Sequence, residues 1–291
     1  MDKVAMHILV TGAQGQLGME FRELSARYPE YQFHFTSRNE LDVCNRDAVM
    51  QFFKTHPLDF CIHCAAYTAV DLAETQREAA MQGNAHAPAY VAEACTLFGV
   101  KLFHFSTDYV FNGKASAPYL PHDPVEPVNY YGATKLQGEE QVMKYCDNAI
   151  IIRTSWVYSS YGKNFVKTML RLMQERDTLR VVNDQRGCPT YAANLAHAVM
   201  QIIAQQKFTP GVYHYCNSGV ISWFQFASAI AKHMSFNCIV EPIRTEDYPT
   251  PAKRPAYSAL NTDSFSKAFH IEIPDWETSL KQCLQTIQQR G

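Results

Sequence analysis

The sequence predicts an α/β fold, in which a doubly wound parallel sheet of the Rossmann type is followed by a smaller C-terminal substrate lobe. Three observations predict it. Apolar strands alternate with helical segments at a period of roughly 30 to 50 residues, a glycine-rich turn follows the first strand directly, and polar residues follow several strands where they end. We therefore expect a dinucleotide-binding domain over residues 1–160, its sheet completed by later strands such as 212–216, and a mainly substrate-binding lobe over residues 161–291.

The composition limits the partners to be considered. With 291 residues and a net charge of −2, the chain gives no electrostatic reason to propose nucleic acid or membrane partners. Residues 1–10 hold too short an apolar stretch for a signal peptide, and no run approaches the roughly 18 apolar residues of a membrane span. We therefore expect a cytoplasmic protein without nucleic acid or membrane partners.

The nine cysteines predict free thiols in a reducing compartment, because their number is odd and they are scattered through apolar segments. Cys61 and Cys64 have the spacing of a metal-binding or redox pair. They lie in a predicted strand, however, where residues three apart point to opposite faces. We therefore predict a structural role for both and no metal site.

The first strand, Met6–Thr11, runs directly into a glycine turn and a helix that extends to about Tyr28. Strand, glycine turn and helix in this order predict a binding site for nucleotide phosphates at the helix N-terminus. Gly12 permits the tight turn, Gly15 lets backbone N–H groups approach a diphosphate, and Gly18 lets the helix pack closely on the strand. The predicted cofactor contacts of this segment are Gly12, Gln14, Gly15, Gln16, Leu17 and Gly18.

The second strand, Gln32–Thr36, has no acidic residue directly at its tip, where NAD enzymes commonly bind the adenosine ribose. Arg38 stands there instead and suits a 2′-phosphate. We therefore predict NADPH, with NADH as the alternative cofactor. Asp42 and Val43 follow as further cofactor contacts, with Asp42 available either to the adenine or as a cap for the helix Asn45–Thr55.

The third strand, Asp59–Ala66, leads into Tyr67 at the carboxyl edge of the sheet, where ligands bind in doubly wound folds. The small side chains of Ala65 and Ala66 let a cofactor pass close to the backbone, so both residues and Tyr67 are predicted cofactor contacts. Asn84 opens the next helix, either as its cap or as a functional residue.

The fourth strand, Lys101–Ser106, ends at the same edge as the glycine turn. Ser106 or Thr107 therefore presents a hydroxyl there that could hydrogen-bond a substrate carbonyl, although a Ser-Thr-Asp run at a strand end is more often turn chemistry. A fifth buried strand, Ala149–Arg153, completes the regular alternation.

Between these two strands, Asn129–Tyr145 is typical of a helix, and it carries Tyr131 and Lys135 four residues apart on one face. A tyrosine at this position could protonate a carbonyl oxygen. A nearby ammonium favours the phenolate, so we expect the pKa of Tyr131 to fall from about 10 toward working pH. Tyr131 is therefore the predicted proton donor and Lys135 its partner.

Beyond the fifth strand the order of elements is less regular. Ser222 is a predicted helix cap, and one further strand is predicted. The predicted helices are Asn164–Glu175, Asn194–Gln205, Trp223–Met234 and Trp276–Gln288, and the predicted strand is Val212–Cys216.

The glycine turn, the hydroxyl after the fourth strand, the Tyr131–Lys135 helix and the C-terminal lobe together resemble the extended short-chain dehydrogenase/reductases, which act largely on nucleotide sugars. Within that family the chain is most similar to the reductases of dTDP-linked 4-keto-6-deoxy sugars. The stretches that carry the resemblance span nearly the whole chain: 11–18, 64–71, 106–111, 129–135, 153–158, 164–170, 184–185, 189–190 and 254–255.

The resemblance implies that NADPH reduces the C4 keto group of dTDP-4-dehydro-6-deoxy-L-mannose, with Tyr131 protonating the forming alkoxide. It also implies that Lys135 binds the nicotinamide ribose and that Thr107 hydrogen-bonds the carbonyl oxygen. Arg254 would meet the diphosphate, and core packing is the alternative for Trp156. The implied substrate contacts are Thr68, Val70, Thr107, Asp108, Tyr109, Tyr131, Trp156 and Arg254.

Two departures bear on the implied chemistry. Asp108 is followed by Tyr109, where related dehydratases carry a glutamate, so the second acid–base group for water elimination is absent and carbonyl reduction is favoured. Related reductases are thought to bind a divalent ion through glutamates at a dimer contact. Glu20 matches one such position but Ala193 stands at another, which leaves metal dependence and the expected homodimer open.

Two alternative functions remain at this point. One is a reductase or epimerase that acts on another nucleotide-keto sugar, because base and sugar identity depend on contacts from the C-terminal lobe. The other is a non-catalytic, NADP-binding regulatory subunit resembling that of methionine adenosyltransferase.

Overall fold

The computed structural model describes residues 5–290. The first four residues of the N-terminal stretch assessed above for a signal peptide lie outside this range. The described strands are β1 (Met6–Thr11), β2 (Tyr31–Thr36), β3 (Phe60–His63), β4 (Lys101–Thr107), β5 (Ala149–Thr154), β6 (Val157–Tyr158), β7 (Thr178–Val182), β8 (Arg186–Gly187), β9 (Thr190–Tyr191), β10 (Gly211–His214), β11 (Ile221–Ser222) and β12 (Ile239–Ile243).

The α-helices lie between and after these strands. They are α1 (Gln16–Leu24), α2 (Arg46–Thr55), α3 (Val70–Ala73), α4 (Arg77–Met81), α5 (Ala87–Phe98), α6 (Tyr130–Tyr145), α7 (Phe165–Glu175), α8 (Ala192–Ala204), α9 (Trp223–Met234), α10 (Asp263–Phe269) and α11 (Trp276–Arg290).

Six strands form one parallel sheet in the order β2-β1-β3-β4-β5-β10. The chain runs outward from β1 to β2 and then returns to the other side of β1 with β3, so the strand order reverses between β1 and β3. Ligands of doubly wound sheets bind outside the carboxyl ends of the strands at such a reversal. The predicted fold class is confirmed.

Helices cover both faces of this sheet because its strands are apolar on both sides. Ile8 and Val10 of β1 pack into one core cluster with α1, α8 and α10, whereas Leu9 between them packs into the other with α2, α5 and α6. This alternation follows from the two-residue period of a strand. Cys61 and Cys64 divide between the two clusters in the same way, as the sequence predicts.

A third core cluster holds the C-terminal lobe together, with α7, α9 and α11 packed around the parallel pair of β7 and β12. The later half of the chain also serves the sheet, since β10 pairs with β5 and α8 packs on α1. The boundary near residue 160 therefore stays a prediction, with residues 192–214 packing against the sheet.

Several elements differ from the sequence prediction. The first helix ends at Leu24 and continues only as a short 3₁₀ turn, and β7, β12 and α10 were not predicted. Asn84 neither caps α5 nor reaches the surface, because it lies fully buried in a π-helical turn, Gln82–His86. Its amide accepts from Tyr67 N at 2.9 Å and donates to Thr134 Oγ1 at 3.1 Å, which ties the segment after β3 to α6.

All nine cysteines are free thiols, and no group of three metal-ligating side chains occurs within residues 5–290. Over the same range, every helix is too short or too polar to cross a membrane. The predicted cap at Ser222 is confirmed, since its hydroxyl accepts from Gln225 N at 3.1 Å while the Gln225 side chain accepts from Ser222 N at 2.9 Å.

Candidate active site

A groove of about 910 Å³ runs along the carboxyl edge of the sheet and over the glycine turn. All thirteen residues predicted to contact the cofactor line it, and their contact with a dinucleotide remains a prediction. They are Gly12, Gln14, Gly15, Gln16, Leu17, Gly18, Arg38, Asp42, Val43, Ala65, Ala66, Tyr67 and Lys135.

The glycine turn has the close approaches that its sequence predicts. Gly12 has a φ of 62°, and a Cβ there would lie 2.7 Å from the backbone nitrogen of Ala65. A Cβ on Gly18 would lie 2.6 Å from the Cα of Ala13. The first-turn amides of α1, beginning at Gln16, have no carbonyl partner within the helix, so they are available to an anion in the groove.

The adenosine end of the groove is marked by Arg38, whose side chain is 81% exposed. Its Nε lies 3.7 Å from Asp42 Oδ2, a long surface contact that leaves the guanidinium available to a phosphate. Asp42 does not cap α2, because Asn45 accepts from Ala48 N at 3.1 Å in that role. Glu40 was not predicted to matter, yet it folds back so that its carboxylate accepts from the backbone N–H of Ser37 at 2.7 Å.

The catalytic candidates meet at the other end, where β4 and α6 approach each other. Asn129 caps α6 by accepting from Gly132 N at 2.8 Å, which fixes the first helical turn and Tyr131 with it. Lys135 is 2% exposed, and its Nζ donates to the carbonyl of Phe105 at 2.7 Å. Tyr131 and Lys135 both line the groove.

Thr107 ends β4 beside Tyr131. Its hydroxyl donates to Asp108 Oδ1 at 3.1 Å and accepts from Tyr109 N at 3.2 Å. The rings of Tyr109 and Tyr131 meet edge to face, with centroids 5.9 Å apart. Ser106, the other predicted hydroxyl, lines the groove with its Oγ buried and without a partner among the described residues.

The pKa of Tyr131 departs from expectation. Burial, reinforced by the charge of Asp108, raises the pKa of Tyr131 to about 12, while the Thr107 hydroxyl opposes the shift. Burial lowers the pKa of Lys135 to about 8, against the opposing charge of Glu139. The predicted lowering of the tyrosine pKa is therefore wrong for the chain itself, because burial and the Asp108 charge outweigh the opposing Thr107 hydroxyl. The phenol stays protonated at neutral pH, which is the state that a proton donor needs.

Asp108 is 2% exposed, and burial raises its pKa to about 7 even though Ser258 and Thr107 stabilise the carboxylate. A carboxyl group with this pKa exchanges its proton near neutrality. Because it accepts the Thr107 hydrogen bond, it also determines where that hydroxyl points.

The residues that the family resemblance assigns to the substrate are only partly brought together. Thr68 and Tyr131 line the groove. The other six do not: Val70, Thr107, Asp108, Tyr109, Trp156 and Arg254. The carboxylate of Asp71 accepts from both terminal nitrogens of Arg254, and Nη2 lies 2.7 Å from Asp71 Oδ2. The guanidinium predicted to meet a diphosphate is therefore already paired within the chain.

Trp156 packs in the core of the C-terminal lobe, and its contact with the substrate remains a prediction. Its backbone has a φ of 47°, an uncommon value for a large residue and one that persists where the surroundings impose it. The indole stacks on Trp223 with ring centroids 3.5 Å apart and an interplanar angle of 10°. Both rings are half-buried, so Trp156 packs into the lobe and still keeps an exposed part.

Glu20 does not lie at an open metal site. It is 5% exposed, it accepts from Ser159 Oγ at 2.5 Å, and burial raises its pKa. Beneath the site, Arg153 and Glu139 form a buried ion pair with Nη2 and Oε2 2.7 Å apart, which no sequence pattern indicated.

The groove also takes in residues that sequence reasoning missed. Gln82 and Gly83 come from the π-helical turn, and Gly162 and Lys163 come from the loop after β6. These segments reach the groove through tertiary packing, so the spacing of their residues in the sequence does not predict that they line it.

A glycine turn under a six-stranded parallel sheet, with a tyrosine, a lysine and a threonine hydroxyl at its carboxyl edge, defines an NAD(P)-dependent oxidoreductase of the extended short-chain dehydrogenase/reductase class. The comparisons with known proteins are specific. The chain belongs to the RmlD substrate binding domain family, whose profile matches residues 6–289.

Curated relatives match over nearly their full length. The dTDP-4-dehydrorhamnose reductase of Burkholderia thailandensis is 40% identical, with 97% of this chain and 99% of the relative covered. The dTDP-4-dehydrorhamnose reductase of Aggregatibacter actinomycetemcomitans is 39% identical, with 94% and 97% covered. The crystal structure of the Bacillus anthracis dTDP-4-dehydrorhamnose reductase in complex with NADP is 38% identical with a TM-score of 0.94, covering 97% of this chain and 100% of that one.

Proposed function

We propose that the chain catalyses the NADPH-dependent reduction of the C4 keto group of dTDP-4-dehydro-6-deoxy-L-mannose to dTDP-L-rhamnose. One observation carries the proposal: Tyr131 and Lys135 line the same groove as the glycine turn, and Thr107 lies beside Tyr131 at the carboxyl edge. The names of the relatives support this substrate, and the NADP in the Bacillus anthracis structure supports this cofactor.

The groove residues fit NADPH along its length. The first-turn amides of α1 would hold the diphosphate and Arg38 the 2′-phosphate, and the close approach of Gly12 to Ala65 leaves no side chain in the way. Lys135 would hold the nicotinamide ribose, since its Nζ lies at the opposite end. When bound, NADPH supplies the hydride.

Tyr131 then protonates the oxygen at C4 as negative charge develops there. Its raised pKa of about 12 keeps the proton on the phenol until an alkoxide, which is more basic, is formed. Thr107 would hydrogen-bond the same oxygen, provided that its hydroxyl turns away from Asp108. Fixed donors at the place where charge develops stabilise the transition state.

The protonation state of Asp108 makes the hydrogen bonding of the Thr107 hydroxyl depend on pH. While its carboxylate is charged it accepts a hydrogen bond from the Thr107 hydroxyl, and the threonine oxygen can then only accept a hydrogen bond from another donor. A neutral Asp108 releases the threonine to donate. Because the pKa of Asp108 is about 7, its protonation state changes near neutral pH.

On the substrate side, we propose that Arg254 contacts the diphosphate of the sugar nucleotide once its pairing with Asp71 is loosened or shared. Trp156, Tyr109, Thr68 and Val70 would border the sugar and base. The backbone strain at Trp156 is consistent with a functional position.

We also propose that the protein works in the cytoplasm, whose reducing conditions suit its nine free thiols. We further propose that it forms a homodimer, as the family resemblance implies. Cell fractionation with antibody detection tests the first statement. Sedimentation equilibrium of the purified chain tests the second, and a single species of monomer mass at micromolar concentration would contradict it.

The decisive assay mixes purified protein, NADPH and a dTDP-4-keto-6-deoxy sugar and follows NADPH consumption. We expect turnover with the dTDP sugar and slower turnover with a UDP-linked 4-keto sugar. Absence of NADPH consumption with any nucleotide-keto sugar would refute the function. Tight NADPH binding without turnover, together with recovery of a stoichiometric partner enzyme, would favour the regulatory-subunit alternative.

A further inference from the structure

The loop Ser159–Asn164 reaches from the C-terminal lobe across to the glycine turn. It follows β6, and Asn164 at its end donates from Nδ2 to Gln16 Oε1 at 2.9 Å. The same amide nitrogen donates to the carbonyl of Ser159 at 2.7 Å and to that of Tyr161 at 3.2 Å, which closes the loop on itself. The loop is therefore fixed to the first turn of the helix that faces the groove.

A second set of contacts anchors the same loop further along α1. Ser159 Oγ donates to Glu20 Oε1 at 2.5 Å, and the Tyr161 hydroxyl donates to Glu23 Oε2 at 2.7 Å. The Arg290 guanidinium lies 4.1 Å from the centre of the Tyr161 ring. The loop thus has a defined conformation of its own, held by side chains from both lobes.

The tip of the loop lies against the glycine turn. Gly162 has a φ of 65°, and a Cβ there would lie 3.0 Å from Gln16 Cγ, so the loop comes as close as a residue without a side chain allows. The next residue, Lys163, lines the groove together with Gln14 and Gly15. Lys163 is exposed and has no ion-pair partner within residues 5–290.

Among the described residues that line the groove, only Arg38, Lys135 and Lys163 carry a positive charge. Arg38 lies at the adenosine end and Lys135 at the nicotinamide end. The glycine turn between them, residues 11–18, contains no lysine or arginine. A helix N-terminus offers about half a positive charge to a diphosphate. Lys163 follows Gly162, which packs on Gln16, and it is therefore the groove-lining cation placed to add to that charge.

We propose that Lys163 binds the diphosphate of the dinucleotide from the C-terminal lobe, and that the loop Ser159–Asn164 acts as a strap that holds it over the glycine turn. The inference rests on the proposed function, since it requires a dinucleotide in the groove. The diphosphate is common to NADPH and NADH. Lys163 therefore contributes affinity for both cofactors, whereas Arg38 distinguishes between them.

The test measures the Kd of NADP⁺ and of NAD⁺ by isothermal titration calorimetry on the full chain and its variants. Lys163→Met should raise both Kd values by a similar factor of about ten, the loss expected for one charge-assisted hydrogen bond near the surface. The factor should shrink at high salt because the contact is partly exposed. Lys163→Arg should restore most of the affinity.

Two matched variants separate this role from general charge effects. Arg38→Met should weaken NADP⁺ binding and leave NAD⁺ binding unchanged. Lys207→Met removes an exposed lysine outside the groove and should change neither Kd. Equal circular dichroism and melting temperature of all the variants would show that the fold is retained.

Unchanged Kd values for both dinucleotides in Lys163→Met would overturn the proposal. So would an effect confined to the KM of the sugar nucleotide, which would place Lys163 at the substrate instead. Failure of the proposed function would give a different result. Wild-type protein would then bind dinucleotides without reducing any keto sugar, and the Kd values of Lys163→Met and wild type could still be compared. Wild-type protein that bound neither dinucleotide would refute both.

Discussion

The end of the groove at the glycine turn and the end at Tyr131 differ in how their polar groups are engaged. At the first end, backbone amides and the Arg38 guanidinium face the groove with few partners in the chain. At the second end, the residues implied for the substrate lie outside the groove lining and have partners in the chain. Thr107 is bonded to Asp108, Arg254 to Asp71, and Trp156 is stacked on Trp223. We therefore propose that the cofactor end is preformed, and that the substrate end exchanges internal contacts for contacts with its ligand.

This difference has a physical origin. The cofactor end follows from one local unit, β1 with its turn and α1, whose geometry is set by glycines and helix termini. The substrate end is assembled from side chains of two lobes, and buried or half-buried polar groups need partners whether or not a ligand is present. Internal pairing such as Asp71 with Arg254 satisfies that need.

The largest effect is expected at the centre of the substrate end. Tyr131→Phe removes the proton donor and should lower kcat by about a thousand-fold, within the range for loss of a general acid. The Kd of NADPH should not change, because the phenol is not needed at the preformed end. Stopped-flow fluorescence for binding and steady-state NADPH consumption for turnover check the two statements.

Tyr130→Phe is the matched control for this variant. Its ring packs under the Arg77 guanidinium at 4.8 Å, and it does not line the groove. Equal losses of kcat in the two variants would mean that kcat depends on the structure of the first turn of α6 and not on the Tyr131 hydroxyl.

Arg254→Met tests whether the paired guanidinium exchanges partners. We expect the KM of the sugar nucleotide to rise by about ten- to a hundred-fold, as for loss of a charged hydrogen bond to a diphosphate, with cofactor Kd unchanged. Asp71→Asn should act in the opposite direction and lower this KM, because it weakens the ion pair that competes with the diphosphate for Arg254. Arg244→Met, which removes an exposed arginine paired with Glu246, should change nothing.

A raised KM in Asp71→Asn would contradict the exchange. It would show instead that Asp71 holds Arg254 in its productive position, and the substrate end would then be as preformed as the cofactor end.

The buried Asp108 predicts a pH dependence of stability. Its folded pKa of about 7 lies above the ordinary value of 3.8, so between these pH values the folded chain binds more protons than the unfolded chain. The free energy of unfolding therefore falls as pH rises through this window, by about 2 kcal/mol between pH 5 and pH 7 from this group. Asp108→Asn should lack this decline, which urea unfolding at both pH values measures by comparison with wild type.

The smallest effect concerns the support of Trp156. Trp223→Ala removes the stacked ring and should raise the KM of the sugar nucleotide about five-fold, in line with the energy of one aromatic pair. Trp223→Phe keeps a ring at that position and should restore most of the affinity. A KM in Trp223→Ala equal to that of wild type would indicate that Trp156 is held by the rest of its surroundings.

The sequence predicts the cofactor end better than the substrate end, and particular residues explain why. Gly12, Gly18 and the strand before them encode their conformation locally, and Tyr131 with Lys135 follows from helical spacing. The pairing of Arg254 with Asp71 joins residues 183 positions apart, and nothing in their spacing indicates it. The pKa of Tyr131 was predicted with the wrong sign because a sequence does not reveal how deeply a hydroxyl is buried.

The same limit applies to Asn84 and Lys163. Asn84 resembles a helix cap in sequence, but it lies inside a π-helical turn because its amide is used to join two segments. Lys163 belongs to a stretch that looks like a connection between elements. The contacts of its loop with α1, among them the packing of Gly162 on Gln16, bring it to the groove.

Transfer of a labelled hydride tests the proposed reduction most directly. The protein is given NADPH carrying deuterium at the transferable position, together with dTDP-4-dehydro-6-deoxy-L-mannose, and the product is examined by NMR spectroscopy. We predict deuterium at C4 of a dTDP-L-rhamnose product, formed in equal amount to the NADPH consumed and lost in Tyr131→Phe. Deuterium that stays on the cofactor, or a sugar that is recovered unreduced, would show that the protein does not catalyse this reduction.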